Sequence, residues 1–138
     1  MKANTLEELF GTLLQSVTEA HKKHLMTGKY SKHIALNEFY DEMPELVDAL
    51  IEHWQGTHEK IEEYKNNILG DDLDAIEYLT ELREMCEDGK ERFFDEDSAL
   101  QSDMDDIIGQ IASTLYKLRH LTEGMRDLRE FLIERLAK

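Results

Sequence analysis

The chain has 138 residues, of which 41% are hydrophobic and 34% are charged, and its formal net charge is −15. A chain of this length and composition is expected to form one globular domain, residues 1–138, with a hydrophobic core, and not to be disordered. The acidic excess argues against direct binding of nucleic acid, because a phosphate backbone requires clustered Lys and Arg.

The first predicted element, helix A, runs from about Thr5 to Met26. Thr5 precedes Glu8 by three residues, which is the spacing of a capping box at a helix start, and apolar side chains follow at helical spacing. The sequence 27-TGKYS-31 then predicts a turn.

Helix B is predicted over about residues 32–67. Apolar residues recur at steps of three and four from Leu36 to Trp54, and Ile61 continues this register. Pro44 lies inside this helix, and it is expected to kink the helix or to restart it with Asp41 as the new cap.

A short turn, 66-NNILGDD-72, is predicted to connect helix B to helix C, with Asp71 or Asp72 as the cap. Helix C extends through Phe93. The turn 95-DEDS-98, with Ser98 as the candidate cap, leads to helix D over about residues 100–118.

The last residues, 123–138, carry apolar side chains at helical spacing, and they are predicted either to extend helix D or to form a short fifth helix after Gly124. No segment with alternating apolar and polar residues predicts a strand. The predicted fold class is therefore all-α, an antiparallel four-helix bundle with short loops, in which successive helices are antiparallel neighbours.

Compartment is indicated by three features of the sequence. Cys86 is the single cysteine, which excludes an intrachain disulfide and favours a reducing compartment. The first residues, MKANTLEELF, lack the apolar centre of a signal peptide. No apolar run approaches the roughly 20 residues of a membrane span. We therefore expect a cytoplasmic protein without a membrane partner.

One side of helix B carries candidate metal ligands. His33, Asn37, Asp48 and Glu52 follow one another at steps of four, eleven and four residues, which places them on one flank of the helix, exposed to solvent or to a second subunit. His24 ends helix A just before the turn. Imidazole and carboxylate groups together suit iron, zinc or manganese. The candidate metal ligands are therefore His24, His33, Asp48 and Glu52. The alternative is a solvated polar flank, since this spacing is common on charged helices.

Motifs of common enzyme classes are missing from the sequence. It contains no nucleophile elbow, no phosphate-binding glycine loop, no paired CxxC and no HExxH, and its acidic runs lack the spacing of a calcium loop. No catalytic residue and no organic cofactor site is therefore assigned. His53 is expected at the solvent edge. His58 is also expected at the solvent or core edge, but because it falls in the apolar register of helix B, a buried, hydrogen-bonded structural role is the alternative, ahead of a ligand role.

The stretch from His24 to Glu52 resembles the ferritin-like superfamily, in particular the Dps-type mini-ferritins. In those proteins a histidine ends the first helix, a second histidine begins the next, an acid follows four residues later, and an acid-x-x-x-Glu pair comes eleven residues after that. The matching positions here are His24, His33, Asn37, Asp48 and Glu52. The resemblance implies an iron site between two subunits, with ligands from both, and hence a homo-oligomer. The chain is also similar to an uncharacterised ferritin-like family of tailed phages, over residues 24–50 and 114–121.

The sequence departs from the mini-ferritin pattern in three places. Asn37 stands where the mini-ferritins have a carboxylate, and the turn between His24 and His33 is shorter. The predicted link from helix B to helix C has only a few residues, whereas ferritin-type bundles need a long crossover there. A short link predicts a simple up-down-up-down bundle or a domain exchange between subunits.

Two functions follow as hypotheses. The first is a ferritin-like phage protein, non-enzymatic or vestigial, that binds iron, manganese or zinc at the four candidate ligands; bound iron with an open position would favour ferroxidase-like oxidation. The second is an acidic interaction protein of the host cytoplasm, for example a nucleic-acid mimic, that binds a basic host protein. The first predicts uptake of metal, and the second predicts salt-sensitive binding of a basic partner.

Overall fold

The computed structural model describes residues 2–65, 69–70 and 72–121, and these form four helices without any strand. The helices are α1 (Leu6–Met26), α2 (Tyr30–Thr57), α3 (Ala75–Phe93) and α4 (Ser98–Tyr116), and a π-helical turn, Lys117–Leu121, follows α4. The predicted all-α four-helix bundle is confirmed. The prediction of a fifth helix or an extended helix D falls on residues 123–138, which lie outside the described residues.

The first helix begins where the capping pattern predicts. The Thr5 hydroxyl accepts a hydrogen bond from the Glu8 backbone N–H at 3.2 Å. The Glu8 carboxylate accepts from the backbone N–H of Asn4, and not from that of Thr5 as in a reciprocal capping box. The predicted Thr5 cap is therefore confirmed, but the Glu8 carboxylate bonds to the backbone one residue before the expected position.

The caps of the two later helices differ from the prediction. Asp74 caps α3 by accepting from the Glu77 N–H at 2.8 Å. Asp97, and not Ser98, caps α4, because its carboxylate reaches the N–H groups of both Ala99 and Leu100. In both cases an aspartate lies directly before the first helical residue and supplies the cap.

Helix α2 is continuous through Pro44 but ends at Thr57, so the prediction that it reaches residue 67 is wrong. The Thr57 hydroxyl donates to the carbonyl of His53 or Trp54, and the Gln55 side chain accepts from the Ile61 N–H, which turns the chain out of the helix. Ile61 is buried from this non-helical segment. Ile61 therefore fits the apolar spacing of α2 although it lies after the end of the helix.

The connection from α2 to α3 is a long crossover. Its first part lies against the start of α1, where the Lys65 N–H donates to the Glu7 carbonyl at 3.1 Å. Gly11 makes this approach feasible, because a Cβ there would collide with the Lys65 carbonyl oxygen. The prediction of a connection of only a few residues is therefore wrong, since 17 residues separate Thr57 from Ala75.

This crossover sets the direction of the helices. Trp54 near the end of α2 and Phe94 after α3 both contact Phe10 near the start of α1, with ring centroids 6.2 and 6.4 Å away. Ala75 at the start of α3 instead lies at the other end of the bundle, in a cavity lined also by Met26. Helices α2 and α3 therefore run parallel, so the prediction that all successive helices are antiparallel neighbours is wrong for this pair.

Each pair of adjacent helices in the bundle is antiparallel: α1 packs on α2 and α3, and α4 packs on the same two. The core between them is continuous and includes the largest buried side chains, Phe10, Phe39, Met43, Tyr78, Leu82 and Phe94. In the described part of the chain no helix is long and apolar enough to cross a bilayer.

Candidate metal site

Two of the four candidate ligands meet where α1 ends and α2 begins. The Nδ1 atom of His24 lies 2.7 Å from the backbone carbonyl oxygen of His33, and the Nδ1 atom of His33 lies 3.0 Å from the carbonyl oxygen of His24. The two rings stack with centroids 3.5 Å apart. His24 is only 6% exposed, whereas His33 is half-buried. The short turn between the helices therefore brings the two histidines together.

These reciprocal bonds determine where the ring protons lie. A carbonyl oxygen has no hydrogen to donate, so both Nδ1 atoms must carry the proton. In the neutral form of either ring, the Nε2 atom then holds an unprotonated lone pair. Metal-binding histidines commonly donate one ring N–H to a carbonyl or carboxylate and ligate with the other nitrogen, and both rings make this kind of Nδ1–H bond to a carbonyl.

A second chain of hydrogen bonds leaves the His24 Nε2 atom with a weak partner. Asn37 donates from Nδ2 to a carboxylate oxygen of Asp41 at 2.8 Å, which turns its Oδ1 atom towards Tyr40. The Tyr40 hydroxyl donates to that Oδ1 atom at 2.7 Å. The same hydroxyl lies 3.4 Å from His24 Nε2, but it has one proton and that proton is committed to the shorter bond. His24 Nε2 therefore remains an acceptor without a strong donor.

His21 and Tyr40 form the outer wall of this site, with their rings stacked at 4.4 Å. His21 is exposed and its ring centroid lies 5.8 Å from that of His24. Neither His21 nor Tyr40 was among the site residues predicted from the sequence. The signal available was the spacing: Tyr40 follows Asn37 by three residues and His33 by seven, on one face of α2.

The other two candidate ligands lie elsewhere. Asp48 and Glu52 are exposed near the middle and the far part of α2. Asp48 follows His33 by fifteen residues, which is about 22 Å along a helix at about 1.5 Å per residue. In the described residues of one chain, no three His, Cys, Asp or Glu side chains come together as a potential metal site. The structure thus assembles the imidazole half of the candidate site without its carboxylate half.

Asn37 does not act as a free ligand in this arrangement. Both ends of its amide are engaged, one by Asp41 and the other by Tyr40. The departure from the mini-ferritin pattern at this position therefore has a structural role, because the amide holds the tyrosine proton away from His24.

Comparison with known proteins gives one family. Residues 24–118 match the sequence model of DUF5856, a family of unknown function. The chain belongs to the DUF5856 family. No curated protein matches it, and no solved structure matches it either.

The span shared with DUF5856 begins at His24 and contains the other three candidate ligands as well as α2 and α3. Cys86 lies within it but is unsuited to ligation, since burial raises the pKa of its thiol and keeps it protonated. Burial, together with the nearby Glu19 carboxylate, raises the pKa of Tyr78 in the same way. Neither side chain supplies an ionised ligand near neutral pH.

Two further histidines in the DUF5856 span lie outside the site. The His53 Nδ1 atom is 2.8 Å from an Asp103 carboxylate oxygen, which links α2 to α4. The two residues are fifty positions apart, so their pairing depends on the packing of α2 against α4 and could not be predicted from local spacing. His58 is exposed, with its ring centroid 4.6 Å from that of Trp54, so the expectation of a solvent or edge histidine is confirmed and the alternative of a buried histidine is wrong. The end of α2 at Thr57 removes it from the helical register.

Proposed function

We propose that the chain is a ferritin-like bundle that binds a transition-metal ion between two copies of itself. His24 and His33 of one copy supply nitrogen ligands, and Asp48 and Glu52 of the other copy supply oxygen ligands. The observation that carries the proposal is the histidine pair, in which both Nδ1–H groups are anchored on carbonyls and the His24 Nε2 lone pair has no strong donor.

The connection between α2 and α3 supports the ferritin-like part of the proposal. One long crossover between parallel second and third helices is the topology of ferritin-like bundles. The 17-residue link and the parallel direction of α2 and α3 agree with it. The resemblance over residues 24–52 therefore gains topological support where the predicted short link had weakened it.

A second copy is needed because of distance. Nitrogen and oxygen ligands bind such metals at about 2.0–2.2 Å, whereas about 22 Å of helix separates His33 from Asp48 in one chain. Two copies related by a two-fold axis can place the histidines of each opposite the acids of the other. The homo-oligomer is thus part of the proposed site.

The donor set decides which metals are expected. Two imidazoles with two carboxylates suit iron, manganese or zinc. Iron bound with an open coordination position would supply oxidation chemistry. The residues of this chain contribute binding and orientation, and the described residues include no assigned proton donor or nucleophile at the site. We therefore propose metal binding rather than catalysis as the function.

The test is the metal content of the untagged full chain after exposure to Fe(II), Mn(II) or Zn(II), with molar mass from light scattering. We expect about one tightly held ion per chain in an oligomer. The variant His24→Ala/His33→Ala should lose this ion. The control His53→Ala/His58→Ala removes as many imidazoles and should keep it. Equal metal uptake by the two variants would refute the proposed ligands.

Co-expression tests the sharing between copies. A chain with His24→Ala/His33→Ala and a chain with Asp48→Asn/Glu52→Gln should each bind no metal alone. Mixed dimers of the two retain one intact site, with both histidines from one copy and both acids from the other. Metal in the purified mixed dimer therefore supports the shared site, and a metal-free mixed dimer contradicts it.

A second candidate function is supported by the outward face of α2. Between Lys32 and the end of this helix there are no Lys or Arg residues, while acidic side chains recur along its exposed side. We propose as the alternative a phage-encoded contact protein of the host cytoplasm, or nucleic-acid mimic, that binds a basic host protein through this charge. Binding to a basic protein that does not weaken as salt is raised would contradict it.

A further inference from the structure

A groove with a volume of about 360 Å³ lies between the first part of α2 and the π-helical turn after α4. Its apolar walls come from Ile34, Ala35 and Leu121, of which Ile34 is 37% and Leu121 is 43% exposed. Glu38 and Lys117 form an ion pair at its rim. The groove is on the α4 side of α2, away from the histidine pair.

The groove continues along α2 into a row of carboxylates. Starting from Ser31 and Ile34 in the groove, exposed acidic residues recur at alternating steps of four and three. We call the acids in this row the acidic stripe: Glu38, Asp41, Glu45, Asp48 and Glu52. Of these side chains, only Glu38 has a basic partner among the described residues.

The spacing of the stripe indicates the shape of its partner. Alternating steps of three and four keep side chains in line with a neighbouring helix that packs nearly parallel or antiparallel. The stripe extends over about 21 Å, because Glu52 follows Glu38 by fourteen positions. A second copy presenting the same stripe would place carboxylates against carboxylates. Lys and Arg on an amphipathic helix would instead oppose them, and an apolar side chain at its end would fit the groove.

We propose that the groove and the acidic stripe together bind a basic amphipathic helix of a partner protein, with one apolar anchor in the groove and Lys or Arg residues along the stripe. This inference rests on the second candidate function and names its surface and the chemistry of its partner. The stripe shares Asp48 and Glu52 with the proposed metal site, so on this surface the test changes only Glu38, Glu45 and Ile34, which are not candidate ligands.

The test uses a labelled helical peptide with lysines at alternating steps of three and four and a leucine at one end, and a scrambled peptide of the same composition. Binding is measured by fluorescence anisotropy on the full chain at low and moderate salt. The variant Glu38→Gln/Glu45→Gln removes two stripe charges seven residues apart. The matched control Glu84→Gln/Glu91→Gln removes two exposed charges with the same separation from α3.

We expect the stripe variant to bind the ordered peptide roughly three- to tenfold more weakly, the control to bind it as the native chain does, and the scrambled peptide to bind poorly. Ile34→Ser should also weaken binding. Equal losses of affinity in the two charge variants, or equal binding of the two peptides, would mean that binding depends only on net charge. Either result would overturn this inference and leave the second candidate function unaffected. No binding of either peptide would overturn the second candidate function as well.

Two other occupants of the groove give distinct results. If Ile34→Ser lowers the molar mass of the native oligomer in light scattering, a second copy occupies the groove and the inference is overturned. If a synthetic peptide of residues 122–138 displaces the labelled peptide, the end of this chain competes for the groove, and the partner-helix assignment is overturned.

Discussion

Replacing Glu45 by Gln is expected to stabilise the protein. Glu45 is exposed in the middle of α2 and has acidic residues three and four positions before it, Glu42 and Asp41, and another three positions after it, Asp48. Like charges at these spacings destabilise a helix by about 0.2–0.5 kcal/mol per pair. Glutamine has a helix propensity close to that of glutamate. Removing three repulsions should therefore raise the free energy of unfolding by about 0.6–1.5 kcal/mol at low ionic strength.

Urea unfolding, followed by circular dichroism at low salt and at about 1 M salt, measures this effect. The gain should largely vanish at high salt, where the screening length falls to about 3 Å. Glu87→Gln on α3 is the control, because Glu87 has two basic and two acidic neighbours at the same spacings, Arg83, Lys90, Glu84 and Glu91. A salt-independent gain, or an equal gain for Glu87→Gln, would refute the repulsion argument.

Three further predictions follow from other parts of the fold. Asn37→Asp should tighten metal binding several-fold, measured by isothermal titration calorimetry, because it adds a carboxylate beside the histidine pair. Weaker binding would contradict this and would mean that the Asn37 amide is needed to accept the Tyr40 hydroxyl proton. Gly11→Ala should lower the free energy of unfolding by about 1–3 kcal/mol, because the new methyl group collides with the Lys65 carbonyl, and an unchanged urea midpoint would contradict that contact. Burial raises the pKa of Cys86, so the folded chain keeps a thiol proton that the unfolded chain loses at high pH. The free energy of unfolding should therefore fall by about 1.4 kcal/mol per pH unit above about 8.5. Cys86→Ala should remove this slope, and identical slopes in the variant and the native chain would contradict the raised pKa.

The helices could largely be predicted from local sequence, whereas the connection between α2 and α3 could not. Apolar periodicity and the cap at Thr5 located α1 and most of α2, because both signals act between residues a few positions apart. The end of α2 was missed because Ile61 keeps the apolar register while being buried from the link. Its burial depends on contacts with α1, such as that between Lys65 and Glu7, which no local pattern encodes. The short-link prediction failed for the same reason.

The candidate site was predictable only in its parts. Only eight residues lie between His24 and His33, and they include the turn between α1 and α2, so the sequence already places the two histidines close together. The proton chain through Tyr40 depends on side-chain orientations that spacing does not determine. The spacing places Asp48 on the same face of α2 as His33, but two residues on one face can still be far apart along the helix axis.

The long link between α2 and α3 also has a consequence for folding. It divides the chain into two helical hairpins, α1–α2 and α3–α4, each closed by a short turn and therefore able to form quickly from nearby residues. We expect docking of one hairpin on the other to be slower than formation of either hairpin, and the length of the link to influence whether docking occurs within one chain or between two. Seventeen extended residues reach about 55 Å, more than the roughly 28 Å length of α3, so docking within one chain is unstrained. Shortening this link by half should favour hairpin exchange between chains, and the length of a surface connection would then set the assembly state.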